Sequence, residues 1–258
     1  MKINQVAAQL YTARKYTQTL DGLADVLKKI RAIGYEAVQV SATCPFEPED
    51  LLRFAKDADI TICSLHDKSK EILDDPERIA QRLVALGNVE TTVYAHPDGI
   101  DVSNPPELEE LVKRLDHAGQ VVHNAGRILC YHNHSLEFTR HGNSGKLVLE
   151  YIFDKIDPKY LQAELDTYWV QHGGCDIIDW IKRMNNRLPI LHIKDYASYK
   201  GQPVICEIGS GNLNWRKIID AAEESGCKWF AVEQDFPPVD ALESLKISFD
   251  YISKNLIS

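Results

Sequence analysis

The stretch Ile128-Leu-Cys-Tyr-His132-Asn-His134-Ser-Leu-Glu137-Phe138 carries an apolar run straight into two histidines, an asparagine and a glutamate. Imidazole and carboxylate groups are the side chains that bind divalent metals. The same transition recurs at Ala163-Glu-Leu-Asp166, at Ile190-Leu-His192-Ile-Lys194-Asp195 and at Trp229-Phe-Ala-Val-Glu233-Gln-Asp235. Each is a short β-type run that closes on a metal-capable or ionisable side chain. Four strand ends of this kind point to one shared site.

Working outward, apolar runs of strand length alternate with helical periodicity, the pattern of parallel strands joined by crossover helices. The expected strands are Gln5–Leu10, Ala37–Val40, Ile60–Leu65, Thr92–Ala95, Ile128–His132, Leu161–Asp166, Ile190–Ile193 and Trp229–Glu233. Helices are expected over Leu20–Ile33, Pro48–Ala58, Asp75–Leu86, Pro106–Asn124, Lys146–Ile156, Asp176–Met184, Asn214–Glu224 and Pro238–Ile257, several of them stopped by glycine. Eight strands predict a single (β/α)8 TIM barrel over residues 1–258, with the site at the C-terminal ends of the strands. The rival, an open doubly wound sheet, calls for a Gly-rich turn after the first strand. The chain there reads Tyr11-Thr-Ala-Arg-Lys-Tyr-Thr.

Across 258 residues the formal charge is −9, so there is no basic face to neutralise a phosphate backbone and nucleic acid is not an expected partner. Six dispersed cysteines without a C-x-x-C pair suit free thiols in a reducing compartment. Neither a signal-type segment nor an apolar run near the ~20 residues of a membrane span is seen, so no membrane partner and a cytoplasmic location are expected.

In a parallel barrel the strand ends converge, so Gln9, Ser41, His66, His96, His132, His134, Glu137, Asp166, His192, Lys194 and Glu233 are expected to meet on one face. A thiolate-free set of carboxylates and imidazoles suits an open catalytic site for one divalent ion, Mn²⁺, Co²⁺, Fe²⁺ or Zn²⁺, with Mg²⁺ a further option. Asp166, His192 and Glu233 come from the last three strands, and Glu137 is the first choice for the fourth ligand. Each has a bland alternative. A lone histidine such as His66 or His96 is commonly a structural hydrogen-bonding residue. Asp166 has a lesser reading as a helix cap before Thr167, Lys194 a reading as an ion-pair partner of Glu164, Asp166 or Glu207, and Glu207 a reading as part of a salt bridge. Rings such as Tyr11, Tyr94, Tyr131, Trp169 and Phe236 belong to the core or floor a sugar pocket. His117, His123, His141 and His172 are expected on the surface.

The segments Tyr131–Phe138, Leu165–Trp169, His192–Asp195, Glu207–Gly211 and Val232–Asp235 together resemble the sugar phosphate isomerase/epimerase family of the xylose-isomerase-like TIM barrel superfamily, over essentially the whole chain. The resemblance implies a divalent metal, commonly Mn²⁺, held by a carboxylate from strand five, Asp166, His192 and Glu233. Many relatives place a glutamate on strand five where this chain has Tyr131 and His132, which leaves Glu137, His132 or His134 for the fourth position.

The expected activity is metal-dependent isomerisation or epimerisation of a sugar, keto-sugar or polyol through an enediolate. His132 or His134 is the expected base, Lys194 the oxyanion partner, Glu233 a shared catalytic and metal residue, and His66, His96, Trp169 and Glu207 the substrate contacts. Gly209-Ser-Gly211 is the sole candidate phosphate cradle, so an unphosphorylated substrate is preferred. The alternative is a metal-dependent lyase or dehydratase acting on a keto-inositol or 3-keto-glycoside. An abasic-site endonuclease and a noncatalytic sugar-binding barrel rank lower, and a homo-oligomer is compatible with the sequence.

Overall fold

The computed structural model describes every residue except Asp98, Asn143 and Ser258. Eight parallel strands close into a barrel: β1 (Val6–Gln9), β2 (Ala37–Val40), β3 (Thr61–His66), β4 (Thr91–Tyr94), β5 (Ile128–His132), β6 (Gln162–Asp166), β7 (Ile190–Ile193) and β10 (Trp229–Val232). Each strand expected from the sequence is present, its ends either as expected or shifted by one residue. The register sets His132 beside Glu164 and Asp166 beside His192, which brings the chemically loaded ends of β5, β6 and β7 to one level.

The outer layer forms for local reasons. In α1 (Leu20–Ile33), Leu23, Val26, Leu27 and Ile30 make one buried face, the Thr19 hydroxyl accepts from the Gly22 N–H, and Gly34 ends the helix at φ 126°. Prolines open α2 (Pro48–Asp57), α4 (Pro76–Ala85) and α5 (Pro105–Asn124), where their missing N–H costs nothing. The helices α6 (Val148–Lys155), α8 (Ile177–Arg183), α9 (Trp215–Glu224) and α10 (Ala241–Asn255) also lie where periodicity placed them. Among the described residues no helix is long and apolar enough to cross a membrane.

Three elements escaped the sequence pattern. Two are single-turn helices at the barrel mouth, α3 (Ser69–Asp74) and α7 (Thr167–His172), too short to show a period. The third is an antiparallel hairpin, β8 (Asp195–Tyr199) with β9 (Gln202–Cys206), inserted after β7. Asp195 fastens it. The fully buried carboxylate accepts from the backbone N–H groups of Tyr196, Gly209, Gly211 and Leu213 and, at 2.7 Å, from the Trp215 indole.

The turn after β5 is closed by Glu137, which sits in a 3₁₀ turn (Leu136–Phe138) with no exposed surface. One carboxylate oxygen accepts from the Tyr131 hydroxyl at 3.0 Å and the other from the His134 N–H at 2.8 Å. Tyr131 faces the helix layer, its ring 6.3 Å from that of Phe153, so His132 faces the barrel as strand alternation requires. His141, expected on the surface, is buried against Tyr151 with ring centroids 4.3 Å apart.

Two stability predictions arise from this packing. A Cβ on Gly119, midway along α5, would stand 2.3 Å from the Tyr160 carbonyl oxygen. Helix propensity favours alanine by about 0.5–1 kcal/mol, whereas overpacking against backbone costs about 1–3 kcal/mol. Gly119→Ala is therefore expected to lower the melting temperature by roughly 2–6 °C, and an unchanged or raised value would refute the close approach. The second concerns Glu137, whose carboxyl burial pushes up to about 7 from an ordinary 4.5. A carboxyl raised on folding gives stability that is complete below its unfolded value and lost as pH rises through its folded one. In urea unfolding, the stability of wild type minus that of Glu137→Gln is expected to fall between pH 4.5 and about 7 and then level off. A flat difference contradicts it.

Candidate metal centre

The barrel mouth holds two stacked polar layers, because residues two apart on a strand face the same way. The deeper layer centres on Glu164, two residues before Asp166 and fully buried. Its Oε1 meets His66 Nε2 at 2.6 Å, His192 Nε2 at 2.9 Å and His132 Nδ1 at 3.0 Å. Its Oε2 accepts from Gln39 Nε2 at 2.5 Å, and Gln39 is bonded in turn to Ser64 and Gln9. Burial alone would raise the Glu164 carboxyl; His192, His66 and His132 together hold it well below the usual carboxylate range.

The upper layer contains His132, Asp166, His192 and Glu233, all buried, each offering a ligand atom within 4.8 Å of the others. His132 Nε2 is 3.9 Å and His192 Nδ1 3.8 Å from Asp166 Oδ2, while His192 Nδ1 is 3.1 Å from Glu233 Oε2. Asp166 Oδ1 caps α7 by accepting from the Trp169 N–H, so the bland reading of this aspartate holds for one oxygen. The other, Oδ2, is buried without a hydrogen bond. Lys194 Nζ lies 3.0 Å from it, outside hydrogen-bond geometry. An orphaned carboxylate oxygen amid two imidazoles and a second carboxylate fits a divalent ion of the Mn²⁺, Fe²⁺, Co²⁺ or Zn²⁺ kind. A second group capable of holding a metal, His66, His132, Glu164 and His192, shares two of these histidines through their opposite nitrogens.

Lys194 is fully buried and touches three carboxylates: Asp166, Glu233 Oε2 at 2.7 Å and Asp235 Oδ1 at 2.9 Å. Burial opposes its charge, but Asp166, Glu233 and Asp235 raise it well above its ordinary value. Asp235 was not singled out from the sequence, although it ends the Val232–Asp235 segment. Burial and Glu233 push its carboxyl up to about 6 against the pull of Lys194. His192 is raised to about 10, because Glu164 and Glu233 outweigh the effect of burial.

Above these layers opens a cavity of about 520 Å³ whose lining includes Tyr11, His66, His96, His134, Lys194 and Asp235. His66, His96 and His134 therefore stand where the sequence placed them. Burial, with His132 and Lys194 nearby, pushes His134 down to about 2, so its ring is neutral. His132 engages both nitrogens, with Glu164 and beside Asp166, which puts it in the cation group rather than in the proton-transfer role expected of it.

Other expectations are corrected. Glu137 lies outside both metal-capable groups, its oxygens held by Tyr131 and His134. Glu207 accepts from the Ser244 hydroxyl on α10 and does not line the cavity, because the hairpin carries the chain away between Lys194 and Glu207. Trp169 packs behind the wall, its ring 5.4 Å from His134 and 5.6 Å from Lys194 Nζ. The Gly209 and Gly211 N–H groups, the candidate phosphate cradle, are taken by Asp195. Lys68 and Lys70 reach the cavity rim, where each is ion-paired, with Glu71 and Asp74.

Comparison with known proteins agrees with this architecture. The profile of the xylose isomerase-like TIM barrel family matches residues 27–252. An inosose dehydratase of Mesomycoplasma hyopneumoniae (strain 7448) is 24% identical over 269 aligned positions, covering 90% of this chain and 88% of the relative. The crystal structure of a sugar phosphate isomerase/epimerase from Parabacteroides distasonis superposes with a TM-score of 0.82 at 22% identity, over 98% of this chain and 95% of that one. A xylose isomerase-like TIM barrel protein from Mycobacterium smegmatis, solved in complex with magnesium, superposes with a TM-score of 0.73 at 15% identity, over 97% and 95%. With the profile match running from α1 into the final helix, this chain belongs to the xylose isomerase-like TIM barrel family.

Proposed function

We propose that this protein is a divalent-metal-dependent isomerase or epimerase acting on a sugar, keto-sugar or related polyol through an enediolate. The observation that carries the reading is the buried set His132, Asp166, His192 and Glu233, with Asp166 Oδ2 free of any hydrogen bond, opening onto a cavity of about 520 Å³. These four residues would hold the ion, with Mn²⁺ as first choice and Mg²⁺, present in a solved relative, as an alternative. When bound, a divalent ion supplies Lewis-acid polarisation of a carbonyl oxygen, worth several kcal/mol of charge stabilisation.

The chain's own residues do the rest. Lys194 sits beside Glu233 and Asp235 at the cavity, where its ammonium can donate to a substrate oxygen as negative charge builds. Neutral His134, with His96 at 5.5 Å between ring centroids, offers hydrogen bonds to hydroxyl groups. The occupied Gly209 and Gly211 N–H groups favour an unphosphorylated substrate. Six cysteines outside any disulfide suit the reducing cytoplasm.

A second reading is supported by the inosose dehydratase relative. The same enediolate can expel a leaving group instead of being reprotonated, which makes the protein a dehydratase or lyase on a keto-inositol or 3-keto-glycoside. The discriminating assay is a keto-sugar panel in deuterated buffer, with and without chelator. Deuterium incorporation at unchanged formula identifies isomerisation, and loss of water or aglycone identifies elimination. Absence of both in the metal-loaded protein would overturn the two together.

For the metal, calorimetric titration with Mn²⁺ is expected to show one equivalent bound by wild type and by Glu137→Gln. Asp166→Ala and Glu233→Ala should bind none stoichiometrically. Because His192 is raised to about 10 in the metal-free protein, uptake should release a proton and strengthen as pH rises. Full occupancy in Asp166→Ala would refute the ligand set.

A further inference from the structure

Three imidazoles converge on one oxygen of Glu164; His66 Nε2 and His132 Nδ1 are hydrogen-bonded to it, and a carboxylate can only accept, so both of these nitrogens must carry the proton. In a neutral ring the other nitrogen then carries the lone pair. For His132 that nitrogen is Nε2, 3.9 Å from Asp166 Oδ2, whereas His192 meets Gln39 Oε1 through Nε2 and Glu233 Oε2 through Nδ1, two acceptors, and so carries a proton on each nitrogen. His66 is keyed to the same oxygen through Nε2, yet it lies outside the His132, Asp166, His192 and Glu233 set. Its ring stacks on His192 at 5.4 Å and 12°, and it lines the cavity. No described residue bonds its Nδ1. One carboxylate thus orients two histidines, His132 toward the cation group and His66 toward the substrate cavity. His134 has no such partner, since no carboxylate lies against its ring nitrogens among the described residues and its Nδ1 is sealed from solvent.

We propose that His66 is the proton-transfer group of this site and that Glu164 is its positioning residue. The inference rests on the enediolate reading above. The Nδ1 lone pair takes the proton from the carbon beside the substrate carbonyl, the C–H electron pair becomes the C=C bond of the enediolate, and the carbonyl π pair moves onto oxygen near Lys194. In isomerisation the imidazolium then returns its proton to the former carbonyl carbon, while the neighbouring hydroxyl passes its own proton to the oxyanion and becomes the carbonyl; in elimination the oxyanion re-forms the carbonyl, the β C–O bond breaks and the departing oxygen takes the proton. No further reactant is consumed. A carboxylate holding one imidazole nitrogen while the other faces substrate is a recurrent way of fixing a histidine base in its working tautomer.

Two measurements test it. In long-range ¹H–¹⁵N spectra of the metal-free protein, His66 is expected as the Nε2–H tautomer, and diethyl pyrocarbonate should modify it before His132 or His192. Glu164→Gln should disturb that tautomer. An Nδ1–H form, or a His66 protected from the reagent, would overturn the proposal whatever the activity. On a keto-sugar that wild type exchanges, His66→Gln should slow solvent-deuterium exchange by about 10²–10⁴ with Mn²⁺ stoichiometry unchanged, and added imidazole should restore exchange to His66→Ala. Should His66→Gln fold poorly, the His66→Ala rescue and the wild-type tautomer still decide the matter. Wild-type exchange rates in His66→Gln would eliminate His66 alone. An Nε2–H His66 in a wild-type protein that exchanges no keto-sugar would instead defeat the reaction class, and this assignment with it.

Discussion

The structure is organised around the cost of burying charge at the mouth of a closed barrel. Glu164, Asp166, Glu233 and Asp235 are all withdrawn from water, and Lys194 and His192 are the cations that face them. Removing one ion from water costs several kcal/mol even after relaxation, and such a group persists only when it is paired and hydrogen-bonded. Each carboxylate here meets a cation or an imidazole. The pairing leaves an excess of negative charge with Asp166 Oδ2 unbonded at its centre. A neutral hydrophobic plug would be more stable. The arrangement has the donor set to hold a further cation.

The barrel supplies the rigidity that such a cluster requires. Parallel strands in fixed register hold His132 level with Glu164 and Asp166 level with His192, so neither layer depends on a loop for its spacing. Gln9, Gln39 and Ser64 extend the deeper layer across β1, β2 and β3 and satisfy Glu164 Oε2 through an amide. Loops enter only at the rim. Asp195 gathers the Gly209–Trp215 segment and anchors the hairpin immediately after Lys194. A buried carboxylate with five donors is a stiffer fastening than the apolar contacts of an exposed hairpin, since its loss would strand the buried Trp215 indole N–H at about 1–3 kcal/mol and release four backbone N–H groups besides.

What could be read from the sequence followed period and order. Eight apolar runs became eight strands, and the alternation of side chains along β5 accounts for Tyr131 facing the helix layer and His132 the barrel. Asp166, His192 and Glu233 converge because strand ends in a parallel barrel must. Glu137 was misplaced since nothing local announces that Leu136–Phe138 folds back onto Tyr131. Glu207 was misplaced because β8 and β9 intervene, and a short polar hairpin has no apolar period to betray it. Glu164 is the instructive omission. It lies two residues before Asp166 and so shares its face, and the alternation that located His132 would have located it too.

The lysine shows why a residue list is weaker than a geometry. Sequence alone allowed Lys194 to be a substrate donor or an ion-pair partner, as if the two excluded each other. The structure gives it three carboxylates, two of which, Asp166 and Glu233, are also candidate ligands, while the third, Asp235, lines the cavity. A divalent ion held by the set that includes Asp166 and Glu233 would compete with the ammonium for the same carboxylates and would repel it at close range. Asp235 remains as its counter-ion on the cavity side. Under the proposed function, the group that balances these buried carboxylates and the donor that would meet a substrate oxygen are therefore one and the same.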